Sequence, residues 1–196
     1  EILIGLVGSE MCIRDSSVTV MEALVKSMNI PTVYLADQVG MGKVIQTAKN
    51  VGISTLITEG EYSDTNLATA LGGLTYGVSV WDMAKAYSVF ANGGKLVEPT
   101  VIMKVVDRNG KVLEDHSGAP ESTQVVDEAS AWTLTSVLEE VISRGTGGNA
   151  YIGRPSAGKT GTTDDEHDAW FVGYTPDLST ACLLYTSPSP RDRSVS

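Results

Sequence analysis

Hydrophobic residues recur at the three- and four-residue spacing of an amphipathic helix in five separate stretches of the chain. Each stretch follows a residue that suits a helix start or precedes a glycine that suits a helix end. The longest runs from Asp127 to Gly145. The pattern predicts helices that begin near Thr19, Pro31, Val44, Ser79 and Asp127.

Shorter segments rich in β-branched residues predict strands. Residues 100–106 and 111–113 flank the turn sequence Arg108-Asn109-Gly110, which favours an antiparallel hairpin. Helices followed by an antiparallel sheet, rather than alternating with parallel strands, indicate an α+β fold. Three further strands, the first two joined by an acidic turn at 164–168, are expected at residues 157–163, 169–174 and from 178 onward.

Large aromatic residues fall on the apolar faces of these elements. Trp132, Trp170, Tyr87 and Phe90 are therefore expected to pack in the core rather than to stack on a ligand. The polar segment 59–66 predicts a surface loop.

Both ends of the chain carry sequences that look foreign to the protein. Residues 6–16 and 182–192 can be encoded by opposite strands of one DNA segment, which resembles a sequencing-library adapter translated at both edges of a short insert. An ordinary polar tail is the alternative. We expect residues 1–16 and 182–196 to be non-native flanks and residues 17–181 to be the protein itself.

Charge and composition exclude several functional classes. The chain has 24 acidic and 14 basic residues and a net charge of −10, so nucleic acid is not expected as a partner. Both cysteines, Cys12 and Cys182, lie in the flanks, which leaves no disulfide framework or zinc site. The acidic residues at 164–168 favour a solvated turn over a metal site, and no cofactor is expected. No apolar run approaches the ~18–20 residues of a membrane span.

One motif suggests nucleotide binding. Gly153-Arg154-Pro155-Ser156-Ala157-Gly158-Lys159-Thr160 satisfies the phosphate-loop pattern G-x-x-x-x-G-K-[ST]. Such a loop needs a buried strand before it and a helix after it, so that backbone N–H groups face the phosphates. Poor helix formers follow Thr160, so an NTP-binding protein is kept only as a remote alternative.

A second motif suggests a nucleophile. Ser156-Ala157-Gly158-Lys159 is the only S-x-x-K sequence in the chain, and S-x-x-K marks the nucleophile of serine acyl-transferases. That nucleophile needs its lysine one helical turn away, whereas Pro155 and Gly158 disfavour a helix here. Ser156 is therefore expected just before a strand, without a catalytic role.

The segment Lys159-Thr160-Gly161-Thr162-Thr163 fits better as the K-T-G strand of penicillin-binding proteins and β-lactamases. A peptide with a free terminal carboxylate can pair with a strand edge, and Gly161 lets its backbone approach closely. Lys159 supplies positive charge, while Thr160 and Thr162 supply hydroxyl donors. The N–H of Thr162 is also a candidate oxyanion donor.

A further element, Ser27-Met28-Asn29, has the S-x-N form and lies in a loop after the first predicted helix. With the K-T-G strand and several other segments, it resembles the transpeptidase domain of bifunctional class A penicillin-binding proteins. The other matching segments are Ala70-Leu71-Gly72-Gly73-Leu74, Phe90-Ala91-Asn92-Gly93-Gly94, Arg144-Gly145-Thr146-Gly147 and Asp168-Ala169-Trp170-Phe171-Val172-Gly173-Tyr174.

The resemblance implies a partial serine β-lactamase-like fold, with helices packed on an antiparallel sheet, and a D,D-transpeptidase that cross-links peptidoglycan. Stem peptides ending in D-Ala-D-Ala would be the substrates, and β-lactams would mimic them. The resemblance assigns catalytic roles to Ser27, Asn29 and Lys159. Ser27 would relay a proton, and Asn29 would hydrogen-bond the substrate amide. The implied substrate-binding residues are Lys159, Thr160, Gly161, Thr162 and Thr163.

The family's S-x-x-K helix is expected before Ser27 and is missing there, so this chain alone is expected to be inactive. For the parent protein, the resemblance implies a glycosyltransferase domain, an N-terminal membrane anchor and a location at the extracytoplasmic face of the bacterial membrane. The alternatives are a D-Ala-D-Ala carboxypeptidase or β-lactamase, in which water is the final acceptor, and a non-catalytic domain that senses β-lactams.

Overall fold

The computed structural model of the protein describes residues 3–4, 18–162 and 168–184. The α-helices of this part are α1 (Val20–Val25), α2 (Asn29–Val39), α3 (Met41–Asn50), α4 (Val80–Ala91) and α5 (Glu128–Arg144). Short 3₁₀ helices lie at Leu67–Leu71 and Gly148–Ala150. The strands are β1 (Leu3–Ile4), β2 (Val18–Thr19), β3 (Lys95–Val97), β4 (Lys104–Val106), β5 (Val112–Asp115), β6 (Ser122–Gln124), β7 (Ala157–Thr162), β8 (Ala169–Tyr174) and β9 (Ser179–Leu184).

Side-chain caps fix the starts of α1, α4 and α5. The side chains of Thr19, Ser79 and Asp127 accept hydrogen bonds from the backbone N–H three residues later, at 3.1, 3.0 and 2.9 Å. Each cap satisfies a donor that the first helical turn leaves unpaired. These caps confirm the predicted starts of the three helices.

The hairpin predicted around Asn109 is confirmed, with a shorter first strand. β4 begins at Lys104 rather than at residue 100, and its register against β5 shifts between Val105 and Val106. The antiparallel pair of β3 and β6 was not predicted. Three-residue strands carry too little alternation to be recognised from sequence.

β7, β8 and β9 form an antiparallel sheet in that order. Within the described ranges, β7 pairs with β8 along one edge and has no strand partner on the other. β9 runs through Cys182 to Leu184, so the first residues of the predicted C-terminal flank continue its pairing with β8. The origin of that flank stays a prediction. The helices and antiparallel sheets confirm the α+β class.

Helix α5 packs against the sheet through its predicted apolar stripe. Val137, Leu138 and Val141 are buried in one cluster with Val25 of α1 and Ala157 of β7. Full burial of a valine contributes about 1.5–3 kcal/mol. Val25 and Ala157 lie two residues before Ser27 and Lys159, so the core fixes the segments that carry both side chains. A second cluster joins α3 to α4 through Ile45, Val51, Ile53, Leu56, Ala86 and Val89.

The aromatic prediction is confirmed in part. The rings of Tyr87 and Phe90 meet edge to face at 6.2 Å and flank the first cluster. Trp132 was wrongly placed in the core, because its side chain is 72% exposed. It lies on the polar side of α5, in line with Ser136 and Glu139, rather than on the apolar stripe.

The structure also tests the phosphate-loop interpretation and the predicted surface loop. Gly158, Lys159 and Thr160 continue as strand β7, so no helix follows the phosphate-loop pattern and the NTP-binding interpretation is wrong. The loop at 59–66 lies mainly at the surface, but Asp64 within it is buried. Of the predicted acidic turn, residues 164–167 lie outside the described residues.

Candidate functional site

Ser27 lies in the turn that ends α1. Its φ of 53° is in the left-handed region. The N–H groups of Ser27 and Met28 donate to the carbonyl oxygens of Leu24 at 3.1 Å and Ala23 at 2.8 Å. This is the Schellman arrangement of a helix C-terminus, in which glycine usually takes the left-handed position. A serine there costs ~1–2 kcal/mol of backbone energy.

Lys159 connects β7 to this turn. Its Nζ donates to Ser27 Oγ at 2.7 Å and to the carbonyl oxygen of Thr160 at 2.9 Å. The first bond joins positions 132 residues apart in the sequence. Because Ser27 Oγ accepts this bond, the hydroxyl proton of Ser27 stays available to a ligand.

The environment of Lys159 favours an anionic ligand. The side chain is half-buried, and burial lowers the pKa of its ammonium below that of an exposed lysine. No carboxylate of the described residues forms an ion pair with it. A partly desolvated cation gains more from a carboxylate than one in bulk water does.

Thr160, Gly161 and Thr162 follow Lys159 along the open edge of β7. Gly161 lies opposite Trp170 in the register of β7 and β8. A Cβ atom at Gly161 would lie 3.2 Å from Trp170 Cβ, which is a tight contact. Glycine at this position therefore also makes room for Trp170, a requirement that the sequence did not reveal.

The remaining predicted site residues are less closely connected. Asn29 is the first residue of α2 rather than part of the preceding loop. Its side chain is exposed and forms no hydrogen bond within the described part of the chain. Thr163 lies outside the described residues. The structure thus joins Ser27, Lys159 and Thr160 by direct contacts and places Asn29 two residues beyond Ser27.

Comparison with known proteins gives the family. The model described as "Penicillin binding protein transpeptidase domain" matches residues 10–186. The chain belongs to this family. Penicillin-binding protein 1A of Aquifex aeolicus is 40% identical over 165 residues, which cover 84% of this chain and 21% of that protein. Penicillin-binding protein 1A of Mycolicibacterium smegmatis is 35% identical over 201 residues, covering 95% of this chain and 25% of that protein.

Solved structures of penicillin-binding proteins share the fold. PonA1 from Mycobacterium tuberculosis superposes with a TM-score of 0.78 and 33% identity, covering 90% of this chain and 50% of that chain. PonA1 in complex with penicillin V gives a TM-score of 0.77 and 34% identity, covering 87% of this chain and 48% of that chain. These likenesses confirm the predicted fold and the resemblance to class A penicillin-binding proteins. The chain spans 21–25% of the length of these curated relatives.

One residue in contact with the candidate site was not predicted. Thr146 Oγ1 lies 2.7 Å from Thr160 Oγ1, within hydrogen-bonding distance. Thr146 belongs to the Arg144-Gly145-Thr146-Gly147 segment, whose resemblance to the family gave the only signal and carried no role. The contact depends on how the loop after α5 folds back onto β7.

Ser156 occupies the position predicted for it. It directly precedes β7, and its Oγ is buried with no hydrogen-bond partner among the described residues. Lys159 donates to Ser27 instead. The S-x-x-K match at Ser156 therefore does not form the paired nucleophile and lysine of a serine acyl-transferase.

A large cavity among the described residues lies away from these contacts. It has a volume of about 880 Å³ and is lined by residues that include Trp132, Pro155 and Tyr174. Ser27, Lys159 and Thr160 do not line it. The candidate site is instead the open edge of β7 with the turn of Ser27 beside it.

Proposed function

We propose that the longer protein containing this chain is a D,D-transpeptidase that cross-links peptidoglycan. This chain would supply the part of the site that binds the substrate carboxylate and relays a proton. The observation that carries the proposal is the 2.7 Å bond from Lys159 Nζ to Ser27 Oγ beside the open edge of β7. An ammonium, a hydroxyl with an available proton and an unpaired strand edge suit a peptide that ends in a carboxylate.

Stem peptides ending in D-Ala-D-Ala are the proposed substrates. Their backbone pairs with β7 at Gly161, where no side chain blocks the approach. The terminal carboxylate accepts hydrogen bonds from the hydroxyls of Thr160 and Thr162 and is attracted by Lys159. Thr163 completes this substrate-binding set, and Asn29 binds an amide of the substrate.

The nucleophilic serine is proposed to lie in a part of the longer protein outside this chain. Its oxygen bonds to the carbonyl carbon of the penultimate D-Ala while its proton passes to the lysine of its S-x-x-K motif. The peptide bond to the terminal D-Ala then breaks, and this D-Ala leaves as an amine. Lys159 holds Ser27 Oγ as an acceptor, so Ser27 can pass its hydroxyl proton to the leaving amine. In its place Ser27 takes the proton that the S-x-x-K lysine received from the nucleophile. The Thr162 N–H stabilises the oxyanion, and an amine of a neighbouring strand then takes the acyl group.

β-Lactams are the second proposed ligand class, because the related PonA1 structure is described in complex with penicillin V. The longer protein is proposed to act at the extracytoplasmic face of the bacterial membrane, with an anchor and a glycosyltransferase domain outside this chain. Among the helices described here, none combines the length and the hydropathy of a membrane span.

Covalent labelling by a fluorescent penicillin tests the proposed function. The test protein is the complete transpeptidase domain of the gene that encodes this chain, as wild type and as Lys159→Ala. The control Lys43→Ala removes an exposed lysine of α3. We expect wild type and control to label alike and Lys159→Ala to label roughly 10- to 100-fold more slowly, since a charge-assisted hydrogen bond contributes ~1.5–3 kcal/mol.

The outcomes separate the alternatives. A folded wild-type domain that takes no label would contradict acyl transfer and favour a non-catalytic β-lactam sensor. A labelled domain that releases D-Ala from a pentapeptide with water as its only acceptor would favour a carboxypeptidase. Equal slowing in the Lys43 and Lys159 variants would remove the specific role of Lys159.

A further inference from the structure

The hydroxyls of Thr146 and Thr160 lie 2.7 Å apart, although the loop of Thr146 belongs to neither motif of the proposed site. Thr160 is half-buried in β7, whereas Thr146 is exposed in the loop that follows α5. A hydroxyl carries one proton and can also accept hydrogen bonds. If Thr160 accepts the hydrogen bond from Thr146, its own proton is available to a ligand. If Thr160 donates to Thr146, that proton is not available.

Backbone contacts hold Thr146 in place independently of its hydroxyl. Its N–H donates to the carbonyl oxygen of Val25 at 3.3 Å, and the N–H groups of Gly145 and Gly147 donate to that of Val141 at 3.1 and 2.9 Å. A Cβ atom at Gly145 would lie 2.4 Å from the Val25 oxygen, so only glycine allows this close approach. The loop is thus fixed against the end of α1, two residues before Ser27.

An ion pair between the last residue of α5 and α1 adds a second link beside this loop. Arg144 Nη1 lies 2.8 Å from Glu22 Oε2 of α1. Hydrogen bonds from Lys26 and then Arg144 lower the pKa of the Glu22 carboxyl to about 2. The carboxylate is therefore charged at neutral pH, and the loop keeps its position even if the Thr146 hydroxyl is removed.

We propose that Thr146 is a positioning residue for carboxylate recognition, a role that rests on the proposed function. When a carboxylate binds at β7, the Thr146 hydroxyl donates to Thr160 Oγ1, and Thr160 donates its own proton to the carboxylate. Two hydroxyls in series polarise each other and strengthen the bond to an anion. Without Thr146, the Thr160 hydroxyl is free to rotate away from the ligand.

Matched substitutions in the complete transpeptidase domain test this role. Thr146→Val removes the hydroxyl and keeps the branched shape, whereas Thr146→Ser keeps the hydroxyl. The rate of acylation is measured with benzylpenicillin and with its methyl ester, which lacks the carboxylate. We expect Thr146→Val to slow acylation by benzylpenicillin about 3- to 10-fold, to leave the ester unaffected and to be rescued by Thr146→Ser.

Combining Thr146→Val with Thr160→Val tests whether Thr146 acts through Thr160. In the Thr160→Val background, Thr146→Val is expected to have no further effect on the rate with benzylpenicillin. Equal slowing with benzylpenicillin and its ester, or an undiminished effect without the Thr160 hydroxyl, would overturn the proposal and leave Thr146 a purely structural role. A Thr146→Val domain that reacts at the wild-type rate would also overturn it.

Failure of the proposed function gives a different result. In that case wild type itself takes no acyl group from benzylpenicillin, and the role of Thr146 falls with it. Acylated wild type together with an unchanged Thr146→Val domain instead overturns the role of Thr146 alone. Thermal unfolding of each variant is measured in parallel, because the backbone contacts predict that Thr146→Val keeps the stability of wild type.

Discussion

At the residue scale, Ser27 combines an unfavourable backbone with a contact in the proposed site. Its φ of 53° is in the region where a Cβ atom is costly, and Ser27 is the only non-glycine residue with positive φ in the described ranges. Glycine would close the turn after α1 at lower conformational cost. Its hydroxyl, however, accepts the hydrogen bond from Lys159. Strain retained beside such a contact is typical of functional positions.

Ser27→Gly and Ser27→Ala separate these two contributions. Both variants lose the hydroxyl, so we expect both to label slowly with fluorescent penicillin. Only glycine removes the conformational strain of a Cβ atom at positive φ. Ser27→Gly is therefore expected to be more stable than Ser27→Ala by about 1 kcal/mol. Chemical denaturation of the complete domain measures the difference. A less stable glycine variant, or wild-type labelling of either variant, would contradict the role given to Ser27.

Motifs in the sequence predicted Ser27 and Lys159 as site residues but not how they meet. The left-handed turn at Ser27 was not predicted, because the left-handed position after a helix is typical of glycine and not of serine. Thr146 was missed because its contact with Thr160 depends on a loop that folds back on β7. Trp132 was misplaced because hydrophobicity alone does not fix the helix face, and at 3.6 residues per turn Trp132 and Leu138 lie on different faces of α5.

At the element scale, Asp64 organises the long connection between α3 and α4. Its side chain is buried and accepts hydrogen bonds from the backbone N–H groups of Ile57 and Thr75, each at 2.8 Å. The donor at Ile57 and then the donor at Thr75 lower the pKa of the Asp64 carboxyl below its ordinary value. One buried carboxylate therefore links an early and a late part of this connection.

Asp64→Asn is expected to destabilise the complete domain by ~1–3 kcal/mol, because the amide NH₂ faces a backbone donor and leaves it unpaired. The matched control is Asp107→Asn in the hairpin turn, where a partly exposed carboxylate also accepts from two backbone N–H groups. Both N–H groups there donate to Oδ1, which asparagine keeps, so the control is expected to cost under ~1 kcal/mol. Equal losses in urea denaturation would contradict the role of Asp64.

The pKa of Asp64 also determines how the stability difference between wild type and Asp64→Asn changes with pH. The pKa of Asp64 is lower in the folded than in the unfolded protein, so its contribution is fully present above the unfolded pKa of ~3.9. It is lost as the pH falls from there through the folded pKa. The difference in free energy of unfolding between wild type and Asp64→Asn is expected to narrow below about pH 4. A constant difference down to pH 3 would contradict this linkage.

Local signals explain which elements were predicted. The caps at Thr19, Ser79 and Asp127 act within one helical turn, so sequence alone gave the starts of α1, α4 and α5. The pairing of β3 with β6 and the hydrogen bonds of Asp64 join distant segments, and no local pattern records them. Lys95 of β3, for example, lies opposite Gln124 of β6.

At the scale of the whole molecule, apolar surface surrounds the start of β7. Trp132, Tyr151, Ile152 and Leu178 are 72%, 66%, 62% and 66% exposed. They border three cavities, each of which is also lined by Ser156, the residue before β7. Exposed apolar surface of this kind marks a contact with other protein. We propose that further parts of the longer transpeptidase domain cover it.

Residues 17–181 expressed alone are therefore expected to be poorly stable. Uncovered apolar surface and unpaired strand edges favour association over cooperative folding. Differential scanning calorimetry should give a broad transition at low temperature for these residues, whereas the complete domain should unfold in a sharp transition. A cooperative unfolding transition of residues 17–181 at high temperature would contradict this expectation.

A crystal structure of the complete domain acylated by penicillin V tests the central claim most directly. The ligand carboxylate is expected within ~2.5–3.2 Å of the hydroxyls of Thr160 and Thr162, beside Lys159, with the ligand amide paired to the open edge of β7. Ser27 Oγ should still accept from Lys159. An acyl group whose carboxylate lies away from β7, for example at the cavity beside Trp132, would contradict the account.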